Sequence, residues 1–190
     1  MIKEYFSTPI FETLIKIDNF SLVNFCYEKS KEPGVVKSNI NGFQSDLLDF
    51  KEPILQNLIM NILSNCVEIT SYYNAKKELN AILQSIWINI NPKGGSNTPH
   101  HHPASYVSGV YYAKTPQNCG RLVLEHPAIN YDYHNNKHTI SEYNDKNAAR
   151  LFITPQVGKL VLFPSWARHY VEPNVSNDDR ISLAFNVGFD

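Results

Sequence analysis

Three consecutive histidines, His100, His101 and His102, stand in Asn97-Thr-Pro-His100-His101-His102-Pro-Ala-Ser105, just ahead of the strand-like run Tyr106 to Ala113. In an extended segment successive side chains alternate faces, so His100 and His102 project together while His101 points away. Two imidazoles are thereby offered to one metal ion. Imidazole nitrogen suits iron, zinc, copper and nickel, and a mononuclear catalytic centre needs about three protein ligands with positions left open for substrate and oxygen or water. The third donor must come from elsewhere in the chain. A histidine cluster beside a proline is also what a polar surface turn contains, so the other chemistry-bearing residues have to decide.

All seven histidines fall between His100 and His169. Gly158 to His169 reads as a strand, a turn fixed by Pro164, and a histidine on the way into the next strand; His169 is the expected third ligand, with packing on Trp166 and Tyr170 as the alternative. In Arg180-Ile-Ser182-Leu-Ala184-Phe-Asn186-Val187, alternation puts Ile181, Leu183, Phe185 and Val187 on one face and Arg180, Ser182, Ala184 and Asn186 on the other. A guanidinium binds a carboxylate through two parallel hydrogen bonds and a hydroxyl adds another. If the sheet curls around the metal, the polar face is therefore a receptor for an acidic cosubstrate. An outer strand with its polar face in water would show the same alternation.

These residues need a scaffold. Tyr5 to Ile17 is rich in β-branched and aromatic residues and reads as one or two strands interrupted at Pro9. Asn19 or Ser21 is the expected cap of a short helix running to about Lys31, ended before Pro33-Gly34. Gly42-Phe-Gln-Ser45 reads as a turn or loop. From Pro53 the spacing of Ile54, Leu55, Leu58, Ile59, Ile62, Leu63, Cys66 and Val67 predicts a second helix, packed on a sheet. From Ala81 the pattern turns to short strands: Ala81 to Ile90, Tyr106 to Ala113, Leu122 to Glu125, Leu151 to Thr154, Lys159 to Phe163, Arg168 to Glu172 and Arg180 to Val187. Gly, Pro and Asn/Asp turns separate them as in an all-β sandwich or barrel. Tyr131 to Ala149, polar and aromatic without a clear period, is read as a lid, an insertion or a loop.

The chain has 190 residues, 43% hydrophobic and 18% charged, a size at which one domain buries most of its apolar surface. Residues 1–190 are expected to form a single domain, with 1–80 supporting a core built from 81–190. Seventeen Lys+Arg against eighteen Asp+Glu give a formal net charge of -1, so no basic field suggests nucleic acid and no polybasic run suggests anionic lipid. Cys26, Cys66 and Cys119 lack the paired spacing of a zinc site or a disulfide framework, which fits a reducing compartment. With no apolar run approaching a membrane span, the sequence predicts a soluble cytoplasmic protein. A monomer and a homodimer are both left open.

Together these residues resemble the iron(II)- and 2-oxoglutarate-dependent oxygenases, a superfamily with a histidine-x-acid pair at the start of its core, a distant second histidine, and an arginine shortly beyond it, often as Arg-x-Ser. The matching positions are His100-x-His102, His169 and Arg180-x-Ser182. The chain more closely resembles a group of such oxygenases from bacteria and phages, at Gly42-Phe-Gln-Ser45, Asn97 to Ser105, Ser108-Gly-Val-Tyr-Tyr112 and Phe163-Pro-Ser-Trp166 through His169 to Ser182. The resemblance implies a mainly β fold, a double-stranded β-helix (jelly-roll) core with N-terminal helices packed on it. It also implies Fe(II) and 2-oxoglutarate as cofactors, and hydroxylation of a protein side chain such as proline, or of a small metabolite. One departure is plain: His102 stands where the superfamily has its acidic ligand. Glu125, the nearest acid on an expected core strand, is the alternative to His102.

On this reading His100, His102 and His169 hold Fe(II), Arg180 and Ser182 hold the distal carboxylate of 2-oxoglutarate, and Asn89, Tyr112 and Asn186 are candidates for the pocket wall. A second reading is a cupin-type three-histidine metal enzyme, because Gly94-x5-His100-x-His102 and Gly158-x5-Pro164-x4-His169 also resemble the two cupin motifs. It lacks the glutamate expected after His102 and the glycine expected where Trp166 stands, and it has no need of Arg180. A third is a non-catalytic ligand-binding β-sandwich with surface histidines.

Overall fold

The computed structural model describes residues 1–2, 6–76, 78–128, 140–144 and 146–190. Of the segment expected to be a lid, an insertion or a loop, residues 131–139 and 145 lie outside the described residues. The described remainder up to Ala149 contains no helix or strand.

Strand β1 (Phe11–Leu14) leads into helix α1 (Asn19–Lys29). The cap of α1 is Asp18, not Asn19 or Ser21: its Oδ1 accepts from the Ser21 backbone N–H at 3.1 Å and its Oδ2 from the Ser21 hydroxyl at 2.6 Å. Ser21 sits three residues on, where an orphan helix N–H needs an acceptor, so the serine serves as the cap's partner. Pro53–Leu55 forms a 3-10 turn that starts helix α2 (Gln56–Tyr72), whose buried stripe Leu58, Ile62, Cys66 and Ile69 follows the helical period.

Within Gly42 to Ser45, read as a turn or loop, Phe43–Gln44 instead forms the short strand β3, which follows another short strand, β2 (Asn39–Ile40). Their ladder partners lie far away in sequence: β2 pairs with β5 (Ser96–His100) and β3 with β4 (Ala81–Asn91). Strands this short carry no local period, so only the tertiary partners define them. The remaining strands are β6 (Val107–Lys114), β7 (Leu122–Glu125), β8 (Arg150–Ile153), β9 (Lys159–Pro164), β10 (His169–Val171) and β11 (Arg180–Phe189).

They form a six-stranded sheet in the order β1-β9-β6-β11-β4-β3 and a five-stranded sheet in the order β2-β5-β10-β7-β8. All pairings among the described residues are antiparallel. The larger sheet packs one face on the helices, where Leu22, Cys26 and Leu58 meet Ile86, Ile88, Leu160 and Phe185. Each fully buried aliphatic there stabilises the fold by roughly 1.5–3 kcal/mol. A smaller cluster of Tyr112, Leu122, Leu124, Ile153, Val161 and Phe163 fills part of the space between the sheets. This is the jelly-roll arrangement, with the N-terminal helices outside it.

Alternation along β11 divides these two environments. Ile181, Leu183, Phe185 and Val187 join the helix-side core, while Arg180, Ser182 and Ala184 line a cavity between the sheets. The three cysteines are free and buried, and burial pushes the Cys26 and Cys66 thiols up to about 12. No helix among the described residues is long and apolar enough to cross a membrane.

Candidate metal centre

The three histidines converge because two strands of the smaller sheet lie side by side. His100, the last residue of β5, is the register partner of His169, the first residue of β10, and their ring centroids are 4.4 Å apart. His102 lies two residues beyond β5, in a loop tied to the turn before β10: the His102 N–H donates to the Ser165 carbonyl at 3.0 Å and the Ser165 N–H to the Tyr106 carbonyl at 3.1 Å. The Ser165 hydroxyl also donates to the Ser105 carbonyl. That places the His102 ring centroid 5.0 Å from His100 and 5.1 Å from His169. One ring nitrogen from each imidazole lies within 4.8 Å of the other two. His101 is exposed and points out, as strand parity predicts.

Backbone carbonyls fix which nitrogen is available. His100 Nδ1 lies 2.7 Å from the Thr98 carbonyl and His169 Nδ1 lies 2.9 Å from the Ala167 carbonyl. A carbonyl can only accept, so Nδ1 carries the proton and Nε2 keeps its lone pair, the arrangement that orients metal-binding imidazoles. Burial holds all three rings neutral. It lowers the His100 pKa, and, helped by the neighbouring imidazoles, brings His102 down to about 4 and His169 to about 3. Phe163, 4.7 Å from the His169 ring, and Trp87, 5.7 Å from the His102 ring, supply the apolar surroundings. Neutral imidazoles brought together in a partly buried cleft fit a first-row transition metal. Glu125 stays outside this group: its carboxylate pairs with the Arg168 guanidinium at 3.2 Å.

The same cavity, about 50 Å³ in volume, is lined by Arg180, Ser182, Asn89 and Tyr112 as well as the three histidines. Arg180 is 1% exposed. Its Nη1 donates to the carbonyls of Cys119 at 3.1 Å and Gly120 at 3.3 Å, and its Nε has no hydrogen-bond partner. No carboxylate among the described residues pairs with it. A buried guanidinium without a counter-ion is unfavourable by several kcal/mol, and burial accordingly lowers its pKa. An anion with two oxygens in the cavity would supply both the missing charge and the missing acceptor. The donor set thus fits an acidic cosubstrate.

A polar row runs across the larger sheet in register: Tyr112 of β6 opposes Ser182 of β11, Ser182 opposes Asn89 of β4, and Asn89 opposes Gln44 of β3. Burial raises the Tyr112 pKa, with Arg180 opposing it. Asn89 Oδ1 is buried without a partner. Asn186 lies apart from this group, in an adjoining cleft; its Oδ1 accepts from the Ser108 hydroxyl at 2.7 Å and its Nδ2 donates to the Ser85 hydroxyl at 3.0 Å. Trp87, Ser38 and the Cys119 and Gly120 carbonyls are parts of the site that sequence reasoning missed. Gly120, at φ +84, has the Glu172 and Pro173 carbonyls packed where a Cβ would be. The residue must therefore be glycine, and this was the one local signal for the loop that holds Arg180.

Residues 85–186 match the sequence family described as "Putative 2OG-Fe(II) oxygenase". No curated protein matches the chain in sequence. Solved structures do share the fold. A prolyl-4-hydroxylase from Pseudomonas putida is 14% identical with a TM-score of 0.67, over 96% of this chain and 93% of its own. The non-haem α-ketoglutarate-dependent carbocyclase SnoK from nogalamycin biosynthesis is 11% identical with a TM-score of 0.68, over 96% of this chain and 80% of its own. HygX from Streptomyces hygroscopicus, solved with nickel and 2-oxoglutarate bound, is 12% identical with a TM-score of 0.61, over 95% of this chain and 83% of its own.

Proposed function

We propose, from the premise that this chain belongs to the 2OG-Fe(II) oxygenase family, that His100, His102 and His169 hold its Fe(II) while Arg180 and Ser182 bind the distal carboxylate of its 2-oxoglutarate. The observation that carries the assignment is the shared cavity: a buried guanidinium lacking a counter-ion among the described residues lines the same space as three neutral, converging imidazoles. When bound, Fe(II) and 2-oxoglutarate supply the chemistry, oxidative decarboxylation of the oxoacid yielding the oxidant that hydroxylates a C–H bond.

The chain's own residues bind and orient. The Thr98 and Ala167 carbonyls hold His100 and His169 by Nδ1, so that Nε2 of each would be free to hold the ion. Arg180, fixed by the Cys119 and Gly120 carbonyls, would take the distal carboxylate of the oxoacid, and Ser182 would add a hydroxyl from the same strand face. Asn89 and Tyr112 wall the cavity beside them, while Asn186 lines the neighbouring cleft. With His102 in place of a carboxylate the centre carries one more positive charge than two histidines and an acid would give, and the dianionic oxoacid offsets it.

The oxidisable substrate is a protein side chain such as proline, a reading supported by likeness to a prolyl-4-hydroxylase, or a small metabolite, a reading supported by likeness to a carbocyclase from nogalamycin biosynthesis. The cupin-type reading assigns no role to Arg180. Anaerobic reconstitution with Fe(II), then addition of 2-oxoglutarate and oxygen, should release succinate. Iron-loaded protein that binds 2-oxoglutarate and forms no succinate would refute the reading.

A further inference from the structure

Next to the histidines opens a cleft of about 470 Å³, lined by Lys37, Gln44, Ser85, Trp87 and Asn186 together with His100 and His102. It meets the inner cavity at Ser38, Trp87, His100 and His102, whereas Arg180 lines the inner cavity alone. The cleft has the size of a small-molecule site and touches the proposed ion's ligands from a side that the oxoacid's arginine does not occupy.

Its polar groups are arranged to donate. Asn186 is engaged at both ends, accepting from Ser108 and donating to the Ser85 oxygen, so the Ser85 hydroxyl proton stays available to a ligand. Ser38 repeats the pattern: its oxygen accepts from Asn97 Nδ2 at 3.2 Å, leaving its own proton unspent. Lys37 is exposed on the rim, and no aspartate or glutamate among the described residues lines the cleft. Gln44 is 4% exposed, yet its Oε1 is buried without a partner. An unspent buried amide is unfavourable unless something enters to bond it.

We infer that this cleft receives the oxidisable substrate, and that the substrate is a small molecule whose oxyanion, a carboxylate or a phosphate, is held by Lys37, Ser38 and Ser85. Its carbon framework lies against Trp87 beside His102, and Gln44 bonds its remaining polar group. The assignment rests on the oxygenase reading, which makes His100 and His102 part of the reaction centre. Charge-assisted bonds from the ammonium and two hydroxyls favour an anion over a neutral group.

Trp166→Phe leaves Trp87 as the single tryptophan, since the chain has two, so fluorescence of the nickel- and 2-oxoglutarate-loaded full chain reports occupancy of the cleft. Benzoate and phenyl phosphate should titrate it saturably while benzyl alcohol does not, the tighter anion identifying the natural oxyanion. Lys37→Ala and Ser85→Ala should each weaken the anion by about tenfold. No saturable response to either anion, an equal response to benzyl alcohol, or tight binding of acetyl-Gly-Pro-Gly-amide that ignores Lys37→Ala would each overturn the inference. Calorimetric binding of 2-oxoglutarate to the same protein separates the two levels. Its absence refutes the oxygenase reading, whereas its presence without an anion response refutes the cleft assignment alone.

Discussion

His100 and His169, distant in sequence, face each other as register partners of β5 and β10, with ring centroids 4.4 Å apart and each Nδ1 on a backbone carbonyl. A site made from strand ends holds its ligands without relying on them for the core. Accordingly His100→Ala and His169→Ala should each lower iron affinity by more than the roughly 10–100-fold expected for losing a group that only orients a ligand, with the fold retained. Metal analysis and circular dichroism check this; tightly bound iron at wild-type levels in both variants would dissolve the proposed centre.

Arg180→Ala should weaken 2-oxoglutarate by about 1.5–3 kcal/mol, the range for a hydrogen bond to a charged group. Arg180→Lys should rescue poorly. An ammonium lacks the planar fork that reaches the Cys119 and Gly120 carbonyls through Nη1 while leaving Nε for a ligand. Calorimetry reads both, and unchanged affinity would favour a three-histidine enzyme that takes no oxoacid.

His102→Asp should retain iron and succinate formation, because an aspartate there restores the two-histidine, one-carboxylate set that suits Fe(II). His102→Ala should lose both. His101→Ala is the control, since that side chain is exposed. If His102→Ala behaves as wild type while His101→Ala loses metal, the ligand assignment is wrong.

Stability of the metal-free protein should depend on pH through the buried imidazoles. His102 and His169 have folded-state pKa values of about 4 and about 3, below the ordinary value of about 6.5. As pH falls past that ordinary value the unfolded chain takes up protons that the folded chain refuses. Stability is therefore complete above about pH 7 and declines toward pH 4. Urea unfolding between pH 8 and 4.5 should show the decline, and His169→Gln should reduce its slope between pH 7 and 5; an unaltered slope would count against a buried neutral His169. The lowered carboxylates Asp18, Glu172 and Asp178 act further down the scale, below this window.

Much of the site was legible in the sequence because strand parity is a local property. Alternation alone separated Arg180 and Ser182 from Ile181 and Leu183, and His100 from His101, and the strand count from Ala81 onward pointed to a β-sandwich or barrel. Helix α2 was legible from its apolar period. Other features depended on chain segments far apart in sequence. The short strands β2 and β3 exist because β5 and β4 offer them partners, and neither is long enough to carry a period. The tertiary fold set the register between β5 and β10 that brings His100 to His169. It also turned the Cys119 and Gly120 carbonyls onto Arg180 and moved Asn186 out of the Arg180 cavity into the neighbouring cleft. A sequence fixes which face of a strand a side chain takes; which partner it meets on that face depends on register and sheet order, and those are settled only when the whole core packs.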